Sequence, residues 1–464
     1  MHCFYEKGDI AYIASHYHPA YQMKCALEWV WKAGFEDRCP EGMMPCYGSA
    51  SVKGRDLGVR QGLGRKIWDV ILAATAIGVL LLAFALDIYF WPGILETIST
   101  DSVRAHGDFY TFWHSAAALW EGRDIYETGA EAENRNPPFW TVLISPLGLL
   151  EPLLAYRIFS MVSVIMTIGC LTWMVREARL SARWTVPGTV LLLLSSPLLK
   201  TLALGQIYPV LTTGLVAAWV SDCRGRVMVS GSALGLVVAL KPSLAPIILW
   251  PLMRRRWKTF AASLASAAAA TLVGAIVVGP GATLDWLMLL SDDTVNPFWD
   301  NASLSSAAAR LFTENEFARP IATLPWLVPV SYVLGIGAIV LTAVRVRYSP
   351  EVALWALVAA SLLASPIAWH NYLVLLGPGI LLLLARGWIA TGFLLLALQS
   401  IPPYWPTLWI DEDTVLATLA LTLYFYILLA HWLAFIISSR RRPEGDKQPG
   451  TSVQARDPLR DPSP

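Results

Sequence analysis

Long apolar runs dominate this chain, and they restrict its fold more than any other feature. Runs of about 17 to 25 residues recur between residues 67 and 437, each long enough to cross a hydrocarbon core about 30 Å thick. Only 15% of the 464 residues are charged, against roughly 25% in a soluble chain. Backbone polar groups inside a bilayer must be satisfied within the protein, so the runs predict helices. The sequence therefore indicates an all-α polytopic membrane protein.

The number and direction of the spans follow from their length and from the positions of basic residues. We predict about 12 transmembrane helices within residues 67–437. Lysine and arginine are enriched on the cytoplasmic side of membrane proteins, so basic clusters mark that side. The clusters are Lys53 to Lys66 before the first span, Arg254-Arg255-Arg256-Trp257-Lys258, Arg345 with Arg347, and Arg440-Arg441-Arg442. We therefore expect a multi-pass protein of the cell membrane with both termini in the cytoplasm.

Two stretches leave the path of the chain open. The apolar run at residues 137–150 is only about 13 residues long, so it either crosses the membrane or re-enters it. If it re-enters, Arg176, Arg179 and Arg183 lie inside, and Lys241-Pro242 breaks the stretch 227–253 into two halves. If it crosses, those arginines face outward and 227–253 is a single helix.

The two ends of the chain differ from the apolar region in composition. Residues 1–60 lack both a spanning run and a signal-peptide core, so we expect a cytoplasmic segment that is disordered or arises from a misplaced start codon. Residues 440–464 are rich in Pro, Asp and Arg, which predicts a disordered cytoplasmic tail. His16 and His18 lie near Cys25, but the spacing is not typical of a metal site, and we expect no metal there.

The segment after the first predicted span, residues 92–136, is acidic and is therefore predicted to lie outside. Its acids are Glu96, Asp101, Asp108, Glu121, Asp124, Glu127, Glu131 and Glu133, against Arg104, Arg123 and Arg135. Apolar residues follow Asp108 at helical spacing, at Phe109, Phe112, Trp113, Ala116, Ala117 and Trp120. This pattern predicts a short amphipathic helix at the membrane surface, with Asp108 as its N-cap and Gly122 as its stop signal.

Polar residues interrupt the apolar sequence at five places, and such residues are costly at lipid depth. The places are Asp108 with Asp124 and Tyr126, Leu204-Gly205-Gln206, Lys241-Pro242, Asn301-Ala302-Ser303-Leu304, and Ser365-Pro366-Ile367-Ala368-Trp369-His370-Asn371. Each has an ordinary structural explanation: a helix cap, a plain turn, a lysine reaching the interface beside a proline kink, a chance glycosylation triplet, and a histidine bonded to a carbonyl.

The five places taken together favour chemistry over these separate explanations. With the predicted topology, all of them lie on the outer side or in breaks that face it. Cations and amide donors stabilise a phosphate leaving group, and a carboxylate accepts the proton of an attacking hydroxyl. One carboxylate, one lysine, one histidine and several amides therefore suit a reaction between a phosphate ester and an alcohol.

The same residues, in this order and spacing, resemble a known family. They are similar to the bacterial polytopic glycosyltransferases of the GT-C class known as family 87, the alpha-mannosyltransferase-like group. The resemblance runs from about residue 67 to 437 and rests on the stretch Gly107 to Tyr126, Pro137-Pro138, Leu204-Gly205-Gln206, Lys241-Pro242 with Arg254-Arg255-Arg256-Trp257, Asn301 to Leu304, and Ser365 to His370. Two departures are Ile125, where Pro is common, and Asn136 before the Pro-Pro pair, where an aromatic residue is frequent.

The resemblance implies a GT-C-type helical bundle that transfers a hexose, usually mannose, from a polyprenyl-phosphate carrier. The acceptor is a glycolipid or glycan hydroxyl on the outer face, the anomeric centre is inverted, and no nucleotide sugar is used. Asp108 would be the general base, His370 and Lys241 would bind the lipid phosphate, and Gln206 and Asn301 would orient it. The other candidates for substrate contact are Asp124, Tyr126 and Trp369.

The resemblance also sets expectations for cofactors, partners and competing functions. Some enzymes of this class need a divalent ion, but a single acidic cluster without a clear second ligand favours a reaction without metal. The expected partners are the lipid-linked donor, the acceptor and membrane lipids, with no nucleic acid. A carrier that flips a lipid-linked sugar is an alternative, although carriers tend to have paired broken helices and this sequence has one Lys-Pro break. A catalytically inactive envelope-assembly factor is a further alternative.

Overall fold

The fold is known from a computed structural model that describes residues 59–291, 295–345, 350–408 and 414–439. The N-terminal segment 1–60, apart from its last two residues, lies outside the described residues, as do the tail 440–464 and the basic cluster Arg440-Arg441-Arg442. The described residues form helices joined by short connections, and their sole β-type pairing is an isolated bridge between Asn301 and Trp369. The prediction of an all-helical chain is therefore confirmed.

The α-helices are labelled here in chain order. The first nine are α1 (Val59–Ser99), α2 (Gly107–Trp120), α3 (Pro138–Ile144), α4 (Pro152–Glu177), α5 (Ala182–Leu193), α6 (Ser196–Leu204), α7 (Tyr208–Cys223), α8 (Val227–Leu240) and α9 (Leu249–Met253). The others are α10 (Trp257–Val278), α11 (Pro280–Ser291), α12 (Leu304–Phe312), α13 (Leu327–Arg345), α14 (Pro350–Ala364), α15 (Gly377–Ala385), α16 (Ile389–Gln399), α17 (Val415–Leu421) and α18 (Leu423–Ser438). Five 3₁₀ segments connect them, at Val103–Ala105, Ser145–Leu149, Pro242–Ile248, His370–Leu376 and Trp405–Leu408.

Several helices are long and apolar enough to cross a membrane. Four meet that condition by length and composition: Ile67–Phe90 within α1, α4, α10 and α13. Two bent pairs, α5 with α6 and α17 with α18, raise the number to as many as six among the described residues. Further apolar helices are shorter, and they lie at Pro138–Leu149, Val227–Leu240, Pro242–Met253, Glu351–Ala364, His370–Ala385 and Ile389–Gln399. The helices thus support a membrane protein, while the count of about 12 spans stays a prediction.

The stretch 227–253 is broken at the position of the lysine and proline. Helix α8 ends at Leu240, Lys241 has a non-helical backbone (φ −142°, ψ 84°), and Pro242 begins a 3₁₀ segment. Proline lacks the N–H that would continue the helical bonding, so the break is encoded locally. The stretch 137–150 forms α3, seven residues long, followed by the 3₁₀ segment Ser145–Leu149. The two together, Pro138–Leu149, rise about 20 Å at most, less than a hydrocarbon core of about 30 Å.

Helices α14 and α15 are almost entirely buried, and α18 packs against them at the centre of the molecule. Their apolar side chains, such as Trp355, Leu382 and Phe435, have essentially no exposed surface. Helices α1, α10 and α13 instead carry large exposed apolar residues, among them Ile276 and Val333. Apolar surface of this extent is unfavourable in water and is covered by lipid in a membrane protein.

Close approach of helices α8 and α10 supports one side of the bundle. A Cβ atom at Gly231 would clash with the backbone oxygen of Thr259, and one at Gly235 with that of Ser263. Both contacts advance in the same direction along the two helices, so α8 and α10 run parallel. Small residues that allow backbones to meet are the usual means of helix packing in membranes.

Candidate active site

Asp108 lies in the first turn of α2, two residues beyond the observed N-cap. The N-cap is His106, and α2 begins at Gly107, so the prediction that Asp108 caps the helix was wrong. The cause is tertiary: His106 is buried, its Nδ1 lies 2.7 Å from the carbonyl oxygen of Ala203, and its ring stacks on Tyr156 with centroids 3.4 Å apart. Because the cap position is fixed from outside the helix, the Asp108 carboxylate is available for another contact.

That contact is made by the turn at Leu204-Gly205-Gln206. Helix α6 ends at Leu204, and Gly205 takes the left-handed conformation (φ 70°) that ends helices. A Cβ atom at Gly205 would overlap the side chain of Phe109, so the turn packs directly on the start of α2. The side-chain amide of Gln206 then donates to Asp108 Oδ2 over 2.6 Å. The sequence pattern therefore has a structural role and also places a donor on the carboxylate.

Two lysines influence the same carboxylate. Burial raises the pKa of Asp108 above its ordinary value, while the hydrogen bond from Gln206 and the charges of Lys200 and Lys241 oppose that rise. Lys241 occupies the C-cap of α8. Its Nζ donates to the hydroxyl of Tyr372 over 3.2 Å and lies 4.7 Å from the centre of that ring. The helix break at Lys241-Pro242 thus places the ammonium group of Lys241 where its charge acts on Asp108.

Lys200, at the middle of α6, forms an ion pair with Asp300. The two side chains are 17% and 5% exposed, so the pair is largely shielded from water. Asp300 also accepts from the backbone N–H of His370, through its carbonyl oxygen at 2.9 Å and its Oδ1 at 3.2 Å. Asp300 therefore joins α6 to the segment that begins at His370.

His370 is fully buried, and its hydrogen bonds constrain what its ring can do. Nε2 lies 3.1 Å from the carbonyl oxygen of Gln399, and the ring centre is 4.5 Å from that of Tyr424. A carbonyl oxygen only accepts, so Nε2 carries a proton. A neutral ring then has Nδ1 as an acceptor, and that atom has no partner within the described part of the chain. His370 can donate a hydrogen bond to a phosphate only in its protonated form.

The buried side chain of Asn301 joins two backbone segments. Its Nδ2 donates to the carbonyl oxygens of Asn296 and Pro366, each over 3.1 Å. Its Oδ1 accepts from the N–H groups of Ser303 and Ala368 at 3.1 and 2.9 Å. Both amide hydrogens are therefore used within the protein, and Asn301 holds the Asp300 loop against the segment 366–370.

The remaining predicted residues lie in two other positions. Asp124 is exposed, and its Oδ1 accepts from the N–H groups of Tyr126 and Glu127 at 2.7 and 3.3 Å. The Tyr126 hydroxyl donates to the carbonyl oxygen of Asn136 over 2.9 Å. These bonds shape the loop between α2 and α3. Trp369 forms the bridge with Asn301 and is half-buried.

The structure therefore brings part of the predicted set together and adds residues that the sequence analysis missed. Asp108, Gln206 and Lys241 form one group, and His370, Asn301 and Trp369 adjoin it through Asp300. The missed residues are Lys200, Asp300, Tyr208 and Tyr372, with the two tyrosine rings 4.4 Å apart. A charged residue inside the apolar segment Ser196–Leu204 was a usable signal for Lys200. Asp300 had no such signal beyond its place next to Asn301.

No group of three or more His, Cys, Asp or Glu side chains suited to a metal ion occurs among the described residues. Asp108 and Asp300 instead each have a lysine as a charged neighbour. The arrangement is that of a carboxylate with one amide donor beside two ammonium groups, which can accept a proton at one point and bind an anion at another.

The chain is similar to known proteins over more than half of its length. The sequence model of glycosyltransferase family 87 matches residues 135–366. A curated relative from Mycobacterium tuberculosis, a polyprenol-phosphate-mannose-dependent alpha-(1-2)-phosphatidylinositol mannoside mannosyltransferase, is 26% identical over 301 residues, which cover 60% of this chain and 68% of the relative. The region matched by the family model includes Lys200, Gln206, Lys241 and Asp300, and it ends just before His370.

Proposed function

Because the chain belongs to glycosyltransferase family 87, we propose that it transfers a mannosyl group from a polyprenyl-phosphate carrier to a hydroxyl of a glycolipid or glycan. The class of donor is supported by the relative, which is named for its use of polyprenol-phosphate-mannose and acts on a phosphatidylinositol mannoside. A donor with a long isoprenoid chain also suits a chain composed of apolar helices, since the carrier and the protein then share one membrane.

The observation that carries the proposal is the position of Asp108. A carboxylate held by Gln206, with its pKa raised by burial, is a stronger base than an exposed aspartate. In the proposed step, the acceptor hydroxyl gives its proton to Asp108 as its oxygen attacks the anomeric carbon. The bond from that carbon to the phosphate oxygen breaks, and the electron pair leaves with the phosphate. Attack opposite the leaving group inverts the anomeric centre.

The other predicted residues take roles on either side of this step. Lys241 binds the donor phosphate. Burial lowers the pKa of His370 to about 4, so His370 donates a hydrogen bond to the same phosphate only at acidic pH. Gln206 orients Asp108, while Asn301 acts indirectly by holding the loop that carries Asp300. Asp124 and Tyr126 shape the acceptor side, and Trp369 lies beside the donor. We propose that these charges make a divalent metal unnecessary.

The proposed topology has about 12 spans, both termini in the cytoplasm of a cell-membrane protein, and the site on the outer face. It is supported by the acidic segment 92–136, which contains Asp108, and by the basic turns at Arg224 to Arg226 and Arg254 to Lys258. In this arrangement α2 is an amphipathic helix at the outer surface, and α3 with Ser145–Leu149 re-enters the membrane without crossing.

Replacement of Asp108 by Asn tests the proposal directly. The amide keeps an oxygen for the Gln206 bond and removes the base, so turnover of polyprenyl-phosphate-mannose should fall by about 10²-fold or more while the protein stays folded. Asp101→Asn is the matched control, because this carboxylate lies in the same outer segment but is exposed and bonded to Arg157. Wild-type protein should use the lipid-linked donor, ignore GDP-mannose and stay active in EDTA.

The outcomes separate the parts of the proposal. An Asp108→Asn protein with wild-type turnover would remove Asp108 from the mechanism. Equal use of GDP-mannose would refute the class of donor. Loss of wild-type turnover in EDTA, restored by a divalent ion, would show that the lysines do not replace a metal.

A further inference from the structure

The charge of Lys200 acts on the proposed base, and the turn after its helix packs on the start of α2, yet the chemistry described so far gives this lysine no role. Its pairing with Asp300 occupies one of the three N–H donors of the ammonium group. Within the described part of the chain Asp300 is its hydrogen-bond partner, so further donors remain for a ligand. The side chain is 17% exposed and close enough to Asp108 to influence that carboxyl. A cation that is positioned but not saturated is suited to binding an anion.

The other candidates for the donor phosphate leave room for a second cation. Lys241 is directed by Tyr372 through a hydrogen bond and a contact with the ring, and no ion pair of Lys241 is seen in the described residues. His370 is fully buried and offers only an acceptor when neutral. Within the described part of the chain, Lys200 is the other lysine whose charge acts on Asp108.

The charges of the site change in a defined way during the reaction. With Asp108 ionised, Asp108 and Asp300 balance Lys200 and Lys241, and the donor adds a phosphodiester with one negative charge. As the acceptor proton moves to Asp108, that carboxyl becomes neutral and the leaving phosphate becomes a monoester with two negative charges. One unit of negative charge thus moves from the carboxyl to the phosphate. A cation that lies nearer to the donor phosphate than to the carboxyl stabilises the later state more than the earlier one, which accelerates the step.

We propose that Lys200 is a second phosphate-binding cation of the donor subsite, engaged as charge develops on the leaving phosphate, and that Asp300 is the residue that positions it. The inference rests on the proposed function and names a residue of the same site. Lys241 then contributes mainly to ground-state binding of the donor, and Lys200 mainly to the departure of the carrier phosphate.

The kinetic test compares Lys200→Met with Lys241→Met. Lys200→Met should lower kcat by about 10²- to 10³-fold, the usual effect of losing one group that stabilises developing charge, with little change in KM for the donor. Lys241→Met should act mainly on KM. Lys258→Met, an exposed lysine at the start of α10, is the control and should behave as wild type.

Lys200→Met leaves Asp300 buried without its cation, which can destabilise the protein. The double variant Lys200→Met/Asp300→Asn removes both charges and should fold, while it shows the same loss of kcat. Asp300→Asn alone keeps the ammonium group of Lys200 but removes the carboxylate that positions it. The kcat of this variant should therefore fall less than that of Lys200→Met.

A binding measurement makes the inference independent of turnover. In an Asp108→Asn background, polyprenyl phosphate and polyprenyl-phosphate-mannose are titrated into protein with Lys or Met at position 200. Loss of Lys200 should weaken the monoester by about tenfold or more and the diester clearly less. Equal weakening of both lipids, or none, with kcat retained would overturn the inference alone. Failure of protein with Lys200 to bind either lipid would overturn the proposed function, and the inference with it.

Discussion

Asp108, the proposed base, also has a predictable effect on the stability of the protein. Burial raises the pKa of its carboxyl in the folded chain, and the unfolded chain has no such environment. A group whose pKa is higher in the folded state binds its proton more tightly there. Its contribution to stability is present below the unfolded pKa and is lost as the pH rises through the folded pKa. Asp108→Asn should therefore be at least as stable as wild type, which makes it a clean test of the base.

The hydrogen bond from Gln206 gives a prediction for the dependence of activity on pH. This bond stabilises the carboxylate and lowers the pKa of Asp108, against the effect of burial. Gln206→Met keeps the length of the side chain and removes the donor, so the pKa should rise further. In the proposed mechanism activity needs the carboxylate, so activity should be lost as the pH falls through this pKa. The acidic limb of kcat/KM should therefore move to higher pH in the variant.

The pH profile separates this role from a merely structural one. A Gln206→Met protein that is less active at every pH, with an unmoved acidic limb, would show that the amide does not act on the ionisation of Asp108. The alkaline limb serves as the internal control, since it reports a different group.

At the scale of the elements, local sequence signals located the helices better than they located the site. Gly205 ends α6 and Pro242 ends α8 through properties of their own backbones, so both breaks could be predicted. The shortness of the 137–150 run was also visible. The N-cap of α2 was misplaced because His106, bonded to Ala203 about a hundred residues away in sequence, decides where the helix begins.

The same limit explains why part of the site was missed. Lys200 and Asp300 are 100 residues apart in sequence. No sequence pattern around either residue predicts a contact with the other. The contact depends on the packing of α6 against the segment that begins at His370. The residues that were found, Asp108, Gln206 and Lys241, each stood out as a polar group in apolar surroundings. A polar residue within an apolar segment indicates a candidate site, but the residues that it contacts are identified only by the tertiary structure.

The packing of α8 on α10 gives a prediction at this scale. Gly235→Ala adds a methyl group that meets the backbone oxygen of Ser263, so α8 or α10 must shift. Overpacking of this kind costs about 1 to 3 kcal/mol, and the melting temperature of the purified protein should fall. Activity should fall with it, because α8 ends at Lys241.

Gly169→Ala in α4 is the matched control for that substitution. Nothing lies within 4 Å of the added methyl group, so the better helix propensity of alanine should leave stability equal or higher, by up to about 1 kcal/mol. Equal melting temperatures for Gly235→Ala and wild type would mean that α8 and α10 are not in close contact.

At the scale of the whole molecule, the charges at the two ends of α8 bear on the proposed direction of the chain across the membrane. This helix has 14 residues and a rise of about 21 Å. Lys241 and the proposed site lie at its C-terminal end. At its N-terminal end, buried Asp222 pairs with both Arg254 and Arg256, beside exposed Arg226. The basic residues and the proposed site therefore lie at opposite ends of α8. This arrangement matches the predicted cytoplasmic face for the basic residues and the predicted outer face for the site.

This direction can be measured with single cysteines in a parent whose six native cysteines have been replaced and which retains turnover. Glu131→Cys lies on the exposed loop between α2 and α3, and Arg226→Cys lies at the other end of α8. In intact cells a membrane-impermeant maleimide should label position 131 and leave position 226 unlabelled until the cells are permeabilised. The cysteine-free parent sets the background, and labelling after permeabilisation shows that both sites are reactive. The reverse pattern would place Asp108 on the cytoplasmic side, where an acceptor and a donor on the outer face could not reach it.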